Sequence, residues 1–135
     1  MKAMEIRERV GGTWEERPDG YWLRVTPGEV RVAAAVLLEG RARFSALVAR
    51  PGAGGGLRLS WHWDAKGTLL TLETVLPPGQ AAPSVADLYP GADWAERETR
   101  EYYRIEFEGR AATPPLMLRE GDAPGVLLRP EGKRP

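Results

Sequence analysis

Alternating apolar and polar residues predict a β-sheet in the middle of the chain. From position 57 to position 64, leucine or tryptophan alternates with polar residues, the period of two typical of a half-buried strand. The apolar members are Leu57, Leu59, Trp61 and Trp63. A turn at 64–67 leads into a further strand at 68–76, whose apolar side chains point both ways. We expect this strand to be covered on both faces, with a helix as the second cover.

An earlier strand is predicted at 44–49, and the glycine-rich segment 51–56 follows it. This segment has two interpretations. Glycine-rich loops can cradle phosphates, but such a loop follows a strand and opens a helix. Here the segment leads into another strand, so a hairpin loop is favoured.

Helical periodicity predicts a helix upstream of these strands. Residues 26–29 match a capping box with proline at the first helical position. Apolar residues then recur with helical spacing over 30–38, and Gly40 is expected to supply the left-handed residue that ends the helix. Nearer the N-terminus, residues 4–10 predict a short helix, and residues 13–25 predict a hairpin around a Pro-Asp-Gly turn.

A highly charged helix is predicted at 92–103. Acidic and basic residues recur there at i and i+4, so ion pairs are expected along its surface. Trp94, Glu98 and Tyr102 share one row, and we expect this stripe to be buried with the Glu98 carboxylate paired inside it. The alternative is a solvated ion-pair face over an aromatic core stripe.

Prolines recur through the last part of the chain, so regular secondary structure is not expected after Gly109. Two apolar clusters, at 116–118 and 126–128, nevertheless interrupt this segment, and free solvent is a poor environment for them. We therefore divide the chain into a folded domain, 1–108, and a proline-rich extended interaction arm, 109–135.

Composition and charge exclude several classes of function. The formal net charge is +0, so no global field attracts nucleic acid or an anionic membrane. The absence of cysteine excludes disulfides, thiolate metal sites and iron–sulfur ligation by this chain. No apolar stretch is long enough to span a membrane, and the N-terminus lacks the apolar core of a signal peptide. We expect a cytoplasmic protein without direct membrane insertion.

Candidate catalytic groups are few. The single histidine, His62, lies on the polar face of a predicted strand without metal-ligating neighbours at a suitable spacing. Glu96, Glu98 and Glu101 alternate with arginines that favour the ionised carboxylate, whereas a general acid must hold a proton. No catalytic, cofactor-binding or metal site is predicted.

The charged helix and its flanks carry a motif. It consists of Glu96-Arg97-Glu98, Glu101, the pair Tyr102-Tyr103 and the stretch 105–109, preceded by the segment 84–94. This motif resembles the signature of the C-type, or thirty-kilodalton, subunit of respiratory complex I, a family that also occurs in membrane-bound energy-converting hydrogenases and formate hydrogenlyases. Where that family usually ends the helix with Phe-Gly, this chain has Tyr103-Arg104. The resemblance is therefore to a divergent member.

The resemblance implies an α+β domain in which an antiparallel sheet of about four strands is packed with helices. It implies a non-catalytic subunit without a cofactor of its own, bound to a hydrogenase-like large subunit near the small iron–sulfur subunit. That place is peripheral, on the cytoplasmic side of the membrane. The residues expected at the partner interface are Trp94, Glu96, Arg97, Glu98, Glu101, Tyr102, Arg110, Leu116, Leu118, Val126 and Leu127. The alternatives are a stand-alone small enzyme and a nucleic-acid-binding module, for which we find no motif.

Overall fold

Three α-helices and two sheets, of five and two strands, form the part of the chain that the structure, a computed structural model, describes: residues 1–110. The elements are α1 (Ala3–Val10), β1 (Glu15–Arg17), β2 (Gly20–Arg24), α2 (Val30–Glu39), β3 (Arg43–Pro51), β4 (Leu57–Ala65), β5 (Thr68–Leu76), β6 (Ala82–Pro83), α3 (Ala92–Tyr103) and β7 (Phe107–Glu108). Short 3-10 turns precede α2 and β4. The predicted α+β class is confirmed. Most of the predicted interaction arm, including Leu116, Leu118, Val126 and Leu127, lies outside the described residues.

The main sheet has five strands in the order β1-β2-β5-β4-β3. The hairpins β1–β2, β3–β4 and β4–β5 are antiparallel, whereas β2 lies parallel to β5. The sequence predicted about four antiparallel strands. The sheet has five, and the pairing of β2 with β5 is parallel. The register of that junction pairs Tyr21 with Leu70 and Leu23 with Leu72, which keeps the apolar side chains of β2 on the apolar face of β5.

The turn between β4 and β5 follows from its residues. Lys66 and Gly67 both have positive φ, 50° and 92°, as a two-residue hairpin turn with the favoured twist requires. The backbone N–H of Gly67 donates to Oδ1 of Asp64 at 2.7 Å. The glycine-rich segment 51–56 is likewise confirmed as a hairpin loop, since β3 and β4 pair across it.

The start of α2 agrees with the prediction, but its end does not. The backbone N–H and the hydroxyl of Thr26 both donate to Oε1 of Glu29, at 2.9 and 2.8 Å. At the other end Gly40 has φ −78°, and the left-handed residue is Arg41, with φ 62°. Gly40 is needed for a different reason: a Cβ there would lie 2.6 Å from Cγ1 of the buried Ile6 in α1.

The core lies between one face of the sheet and the helices. That face carries the predicted alternation of β4, together with Leu70, Leu72 and Leu76 of β5, and all of these side chains are buried. Ile6 of α1 and Leu37 of α2 pack against them in the same cluster. Tyr89 closes the cluster beside Trp63, with ring centroids 5.9 Å apart, and donates its hydroxyl proton to the carbonyl of Ala42 at 2.9 Å. Burial raises the pKa of Tyr89 to about 12.

The prediction that the opposite face of β5 is covered holds only for the middle of the strand, because Val75 near its end is 45% exposed. Thr71 and Glu73 are buried there. Within residues 1–110, however, we find the cover in side chains of neighbouring strands rather than in a helix: His62 hydrogen-bonds Thr71 at 2.7 Å, and the ring of Trp22 meets that of His62 edge-on at 5.5 Å.

Candidate functional site

Helix α3 presents a different face to the domain from the one that the sequence predicted. Its buried residues include Ala92, Glu96 and Thr99, which follow one another at i, i+4 and i+7. Trp94 instead points away from the core and is 58% exposed, and Glu98 is only partly buried. The predicted burial of the Trp94–Glu98–Tyr102 stripe is therefore wrong. The residues of α3 that face the domain at Ala92 and Thr99 have small side chains.

Glu96 is the buried carboxylate of this helix, and it is fully satisfied within the chain. Its side chain has no exposed surface. Oε1 accepts hydrogen bonds from the hydroxyl of Ser84 at 2.6 Å and from Nη1 of Arg110 at 3.0 Å, while Oε2 accepts one from the backbone N–H of Val85 at 2.8 Å. A buried ion pair is stable only when its remaining polar atoms find such partners. Glu96 thus joins the segment before α3 to the segment after β7.

Arg110 is the cation of this cluster. Its other Nη atom pairs with Oδ1 of Asp93, and its side chain is only 16% exposed. Arg110 therefore holds the end of the described chain against the first turn of α3. Asp93 and Glu96, two acids of the i, i+4 charge pattern, both contact Arg110. Arg100 lies 3.3 Å from Glu106.

A second ion pair attaches the same segment to α2. The guanidinium of Arg31 binds Asp87 through two hydrogen bonds, at 2.7 and 2.8 Å, and also donates to the carbonyl of Ser84 at 2.6 Å. This bidentate contact lowers the pKa of Asp87 from 3.8 to about 2. Ser84 consequently contacts α2 through its carbonyl and α3 through its hydroxyl.

Several members of this network were not predicted as site residues: Arg31, Ser84, Asp87 and Asp93. The Ser84 hydroxyl also accepts a hydrogen bond from the backbone N–H of Ala86, at 3.2 Å. The sequence contains one feature that could have indicated this network. Ala92, Glu96 and Thr99 have helical spacing, which places a carboxylate among small residues on one face of the helix. Such a carboxylate needs donors from elsewhere in the chain.

The hydrogen bonds and ion pairs of this network hold backbone segments together. Each oxygen of Glu96 already accepts at least one hydrogen bond. Among residues 1–110, no group of three or more His, Asp or Glu side chains converges as a metal ion would require. Within the same part of the chain no helix has the length and apolarity needed to cross a membrane.

Comparison with known proteins identifies the family. A family model described as "Respiratory-chain NADH dehydrogenase, 30 Kd subunit" matches residues 23–131. The chain belongs to this family. The match includes the end of β2, all later elements and the whole network around Glu96.

Individual relatives agree with the 30 kDa subunit family. The chain is 34% identical to NAD(P)H-quinone oxidoreductase subunit J of Synechococcus sp. strain CC9605, over 81% of this chain and 52% of the relative. It is 45% identical to the subunit J of strain CC9902, over 39% of this chain and 27% of the relative. This chain thus matches about half the length of the first of these curated relatives.

A solved structure shares the fold. It is that of the membrane-bound sulfane sulfur reductase, described as an archaeal respiratory membrane complex. One of its chains superposes with a TM-score of 0.67 at 23% identity, covering 80% of this chain and 69% of that chain.

The 30 kDa family motif is therefore divided between two sides of α3. Glu96 and Arg110, both predicted at the partner interface, contact each other inside the domain. Trp94 and Glu98 lie on the outward side. Glu101 lies nearly in line with Trp94, seven residues further along, yet is only 2% exposed. The accessible part of the outward face is consequently its N-terminal half, around Trp94.

Proposed function

We propose that this protein is a non-catalytic accessory subunit of a complex I-like NADH:quinone oxidoreductase or an energy-converting hydrogenase. It docks on the hydrogenase-like large subunit near the small iron–sulfur subunit, on the cytoplasmic side of the membrane. There it supports electron transfer coupled to ion translocation. Membership of the 30 kDa subunit family and the names of the subunit J relatives support this proposal.

The exposure of Trp94 on the motif helix is the observation that carries the docking proposal. Tryptophan is enriched among the residues that dominate binding energy at interfaces, because it removes a large rigid surface from water. Trp94 is 58% exposed in this chain. The patch formed by Trp94 and Glu98 is therefore the surface of α3 that we assign to the large subunit.

The network around Glu96 serves this interface indirectly. An interface anchor binds best when its supporting residues hold it in place before the partner arrives. Glu96 fixes α3 to the segment at Ser84 and Val85, and Arg110 fixes the first turn of α3 beside Trp94. Residues 111–135 follow Arg110 in the sequence. We assign those residues to the interaction arm that contacts the same partner.

Co-purification tests the proposal. An affinity tag on this chain, with membranes from the source organism dissolved in mild detergent, is expected to recover the large and iron–sulfur subunits, identified by mass spectrometry. Trp94→Ala should reduce their recovery strongly, because loss of an interface tryptophan can cost about 2–4 kcal/mol. Isolation of the unsubstituted chain without either subunit would contradict the proposal.

Met4→Ala is the matched control. Met4 is an apolar residue of α1 with 57% exposure, nearly the same as Trp94, and it lies outside the motif. The control should retain both subunits. Equal recovery with Trp94→Ala and Met4→Ala would remove Trp94 from the interface while leaving the family assignment intact.

A further inference from the structure

The sheet face opposite the core carries a basic groove that the proposed docking through α3 does not use. Four arginines, Arg17, Arg24, Arg50 and Arg58, line this arginine groove together with Pro18, Asp19, Trp22, Ser60 and Glu73. Its volume is about 360 Å³. The core helices pack on the other face of the sheet, so a ligand in the groove and a partner on α3 would not compete for the same side chains.

Two of the arginines are placed directly opposite each other. Arg50 of β3 pairs in register with Arg58 of β4, and both are exposed. Residues opposite each other in an antiparallel pair have Cβ atoms about 4.5–5.5 Å apart, and like charges at such positions destabilise the sheet. Within residues 1–110 neither guanidinium lies in an ion pair. Arg50 and Arg58 therefore concentrate positive charge at one place, and the repulsion between them lowers the stability of the sheet.

The other two arginines are held in place by acids. Arg17 pairs with Glu15 at 3.0 Å and lies over the ring of Trp22 at 4.2 Å. Arg24 pairs with Glu73 at 2.9 Å, and the Glu73 side chain is only 9% exposed. These contacts place Arg17 and Arg24 beside the unpaired Arg50 and Arg58. The groove is thus positively charged at one side and mixed in charge at the other.

Apolar side chains border the charged part of the groove. Val48 is 38% exposed and lies opposite Ser60, while Val75 is 45% exposed and lies opposite Arg58. Their position on adjacent strands places apolar surface next to the unpaired guanidiniums. Protein interfaces typically combine arginine and aromatic anchors with such apolar contacts.

We propose that the arginine groove binds an acidic segment of a partner protein, in which carboxylates contact Arg50 and Arg58 while apolar residues contact Val48 and Val75. Carboxylate accepts the forked donors of arginine in the planar, bidentate geometry that makes such pairs specific. The acids in the groove disfavour a phosphodiester chain or a lipid headgroup layer, because Glu73 would face their continuous negative charge. A partner segment of mixed apolar and acidic residues can instead place its carboxylates at Arg50 and Arg58 and none beside Glu73.

The test uses a short fluorescent peptide in which glutamate alternates with valine, and a second peptide with glutamine in place of glutamate. Fluorescence anisotropy with the full chain is expected to show salt-sensitive binding of the acidic peptide and none of the neutral one. The double variant Arg50→Gln/Arg58→Gln should weaken binding at least about tenfold, since it removes two charge-assisted contacts. Equal binding of the two peptides would overturn the proposal.

Arg43→Gln is the matched control, because Arg43 is an exposed arginine of the same strand that lies opposite Asp64, outside the groove. It should bind the acidic peptide within about twofold of the unsubstituted chain, as expected for a distant surface charge. The double variant should also melt at the same temperature or higher, because it relieves the repulsion, and this excludes unfolding as the cause of lost binding. An Arg43→Gln effect as large as that of the double variant would contradict the proposal. So would tighter binding of phosphatidylglycerol vesicles or single-stranded DNA through Arg50 and Arg58.

Discussion

Glu96 shows how a single charged residue can connect separate parts of this domain. Its carboxylate is inaccessible to solvent and accepts hydrogen bonds from Ser84, Val85 and Arg110. Any one of these donors alone would leave part of the charge uncompensated. The residue is therefore a structural acid, although it belongs to the same motif as Glu98, which faces outward.

We expect Glu96→Gln to destabilise the isolated protein by about 2–4 kcal/mol, because the guanidinium of Arg110 loses its buried carboxylate and the amide cannot accept at both positions. Glu98→Gln, at a partly exposed position of the same helix, should change the free energy of unfolding by less than about 0.5 kcal/mol. Urea unfolding of the two variants measures the difference. Similar midpoints would show that Glu96 is not the acid that fixes α3.

The Arg31–Asp87 pair gives a prediction about pH. The pKa of Asp87 is lowered from 3.8 to about 2, chiefly by its hydrogen bonds with Arg31. A depressed carboxyl pKa means that the pair's full contribution to folding is present above pH 3.8 and is lost as the pH falls through 2. An NMR titration of the Asp87 carboxyl carbon should therefore have its midpoint near 2, and in Arg31→Gln it should return to about 3.8. Unchanged midpoints in the variant would exclude Arg31 as the cause.

At the scale of elements, the end of α2 places Gly40 beside Arg41, and it is the arginine that has the left-handed conformation. The N–H groups of Arg41 and Ala42 bond the carbonyls of Leu38 and Leu37, the pattern of a Schellman motif. Its left-handed residue is Arg41, although glycine is favoured at that position. The glycine precedes it by one residue because only glycine fits against Ile6.

We expect Gly40→Ala to cost about 1–3 kcal/mol, since the new Cβ would overlap the buried Ile6 side chain between α1 and α2. Gly28→Ala is the control, because a Cβ there meets nothing within 4 Å. Arg41→Gly should act in the opposite direction and stabilise the protein by about 0.5–1 kcal/mol by removing left-handed strain. Thermal melting of the three variants tests this order, and a stabilising Gly40→Ala would contradict it.

The features that the sequence predicted correctly are those that a few neighbouring residues determine. The capping box at Thr26, the Lys66-Gly67 turn and the alternation in β4 and β5 are contained within a few neighbouring residues, and the structure confirms them. The parallel junction of β2 with β5 depends on residues far apart in the chain, so periodicity could not reveal it.

The sequence predicted the wrong buried face for α3, and the physical reason is related. Hydrophobicity favours Trp94 as the buried residue and Glu96 as the exposed one. The donors that reverse this preference come from Ser84, Val85 and Arg110, on either side of the helix in the sequence. The family motif was recognisable without knowledge of these contacts, but its division into an inward and an outward side was not.

At the scale of the whole molecule, Arg110 marks a boundary between the folded domain and the proposed interaction arm. A chain ending at Arg110 is expected to melt close to the temperature of the full chain but to lose the large subunit in co-purification. A chain ending at Glu108 should be less stable than the one ending at Arg110 by about 1.5–3 kcal/mol, because Glu96 then loses its cation. If the chain ending at Arg110 unfolds as readily as the one ending at Glu108, residues 111–135 belong to the domain itself.

The parallel junction between β2 and β5 also has a consequence for the order in which the protein folds. Strands β3, β4 and β5 are joined by short hairpins and can pair as soon as they are made, whereas β2 must wait for β5, and residues 25–67 separate the two. Closing so long a loop costs entropy before its contacts form, which favours late addition of the N-terminal hairpin. Native-state hydrogen exchange should accordingly show β1 and β2 opening at a lower free energy than β4 and β5. Uniform protection across all five strands would mean that the sheet forms and opens as one cooperative unit.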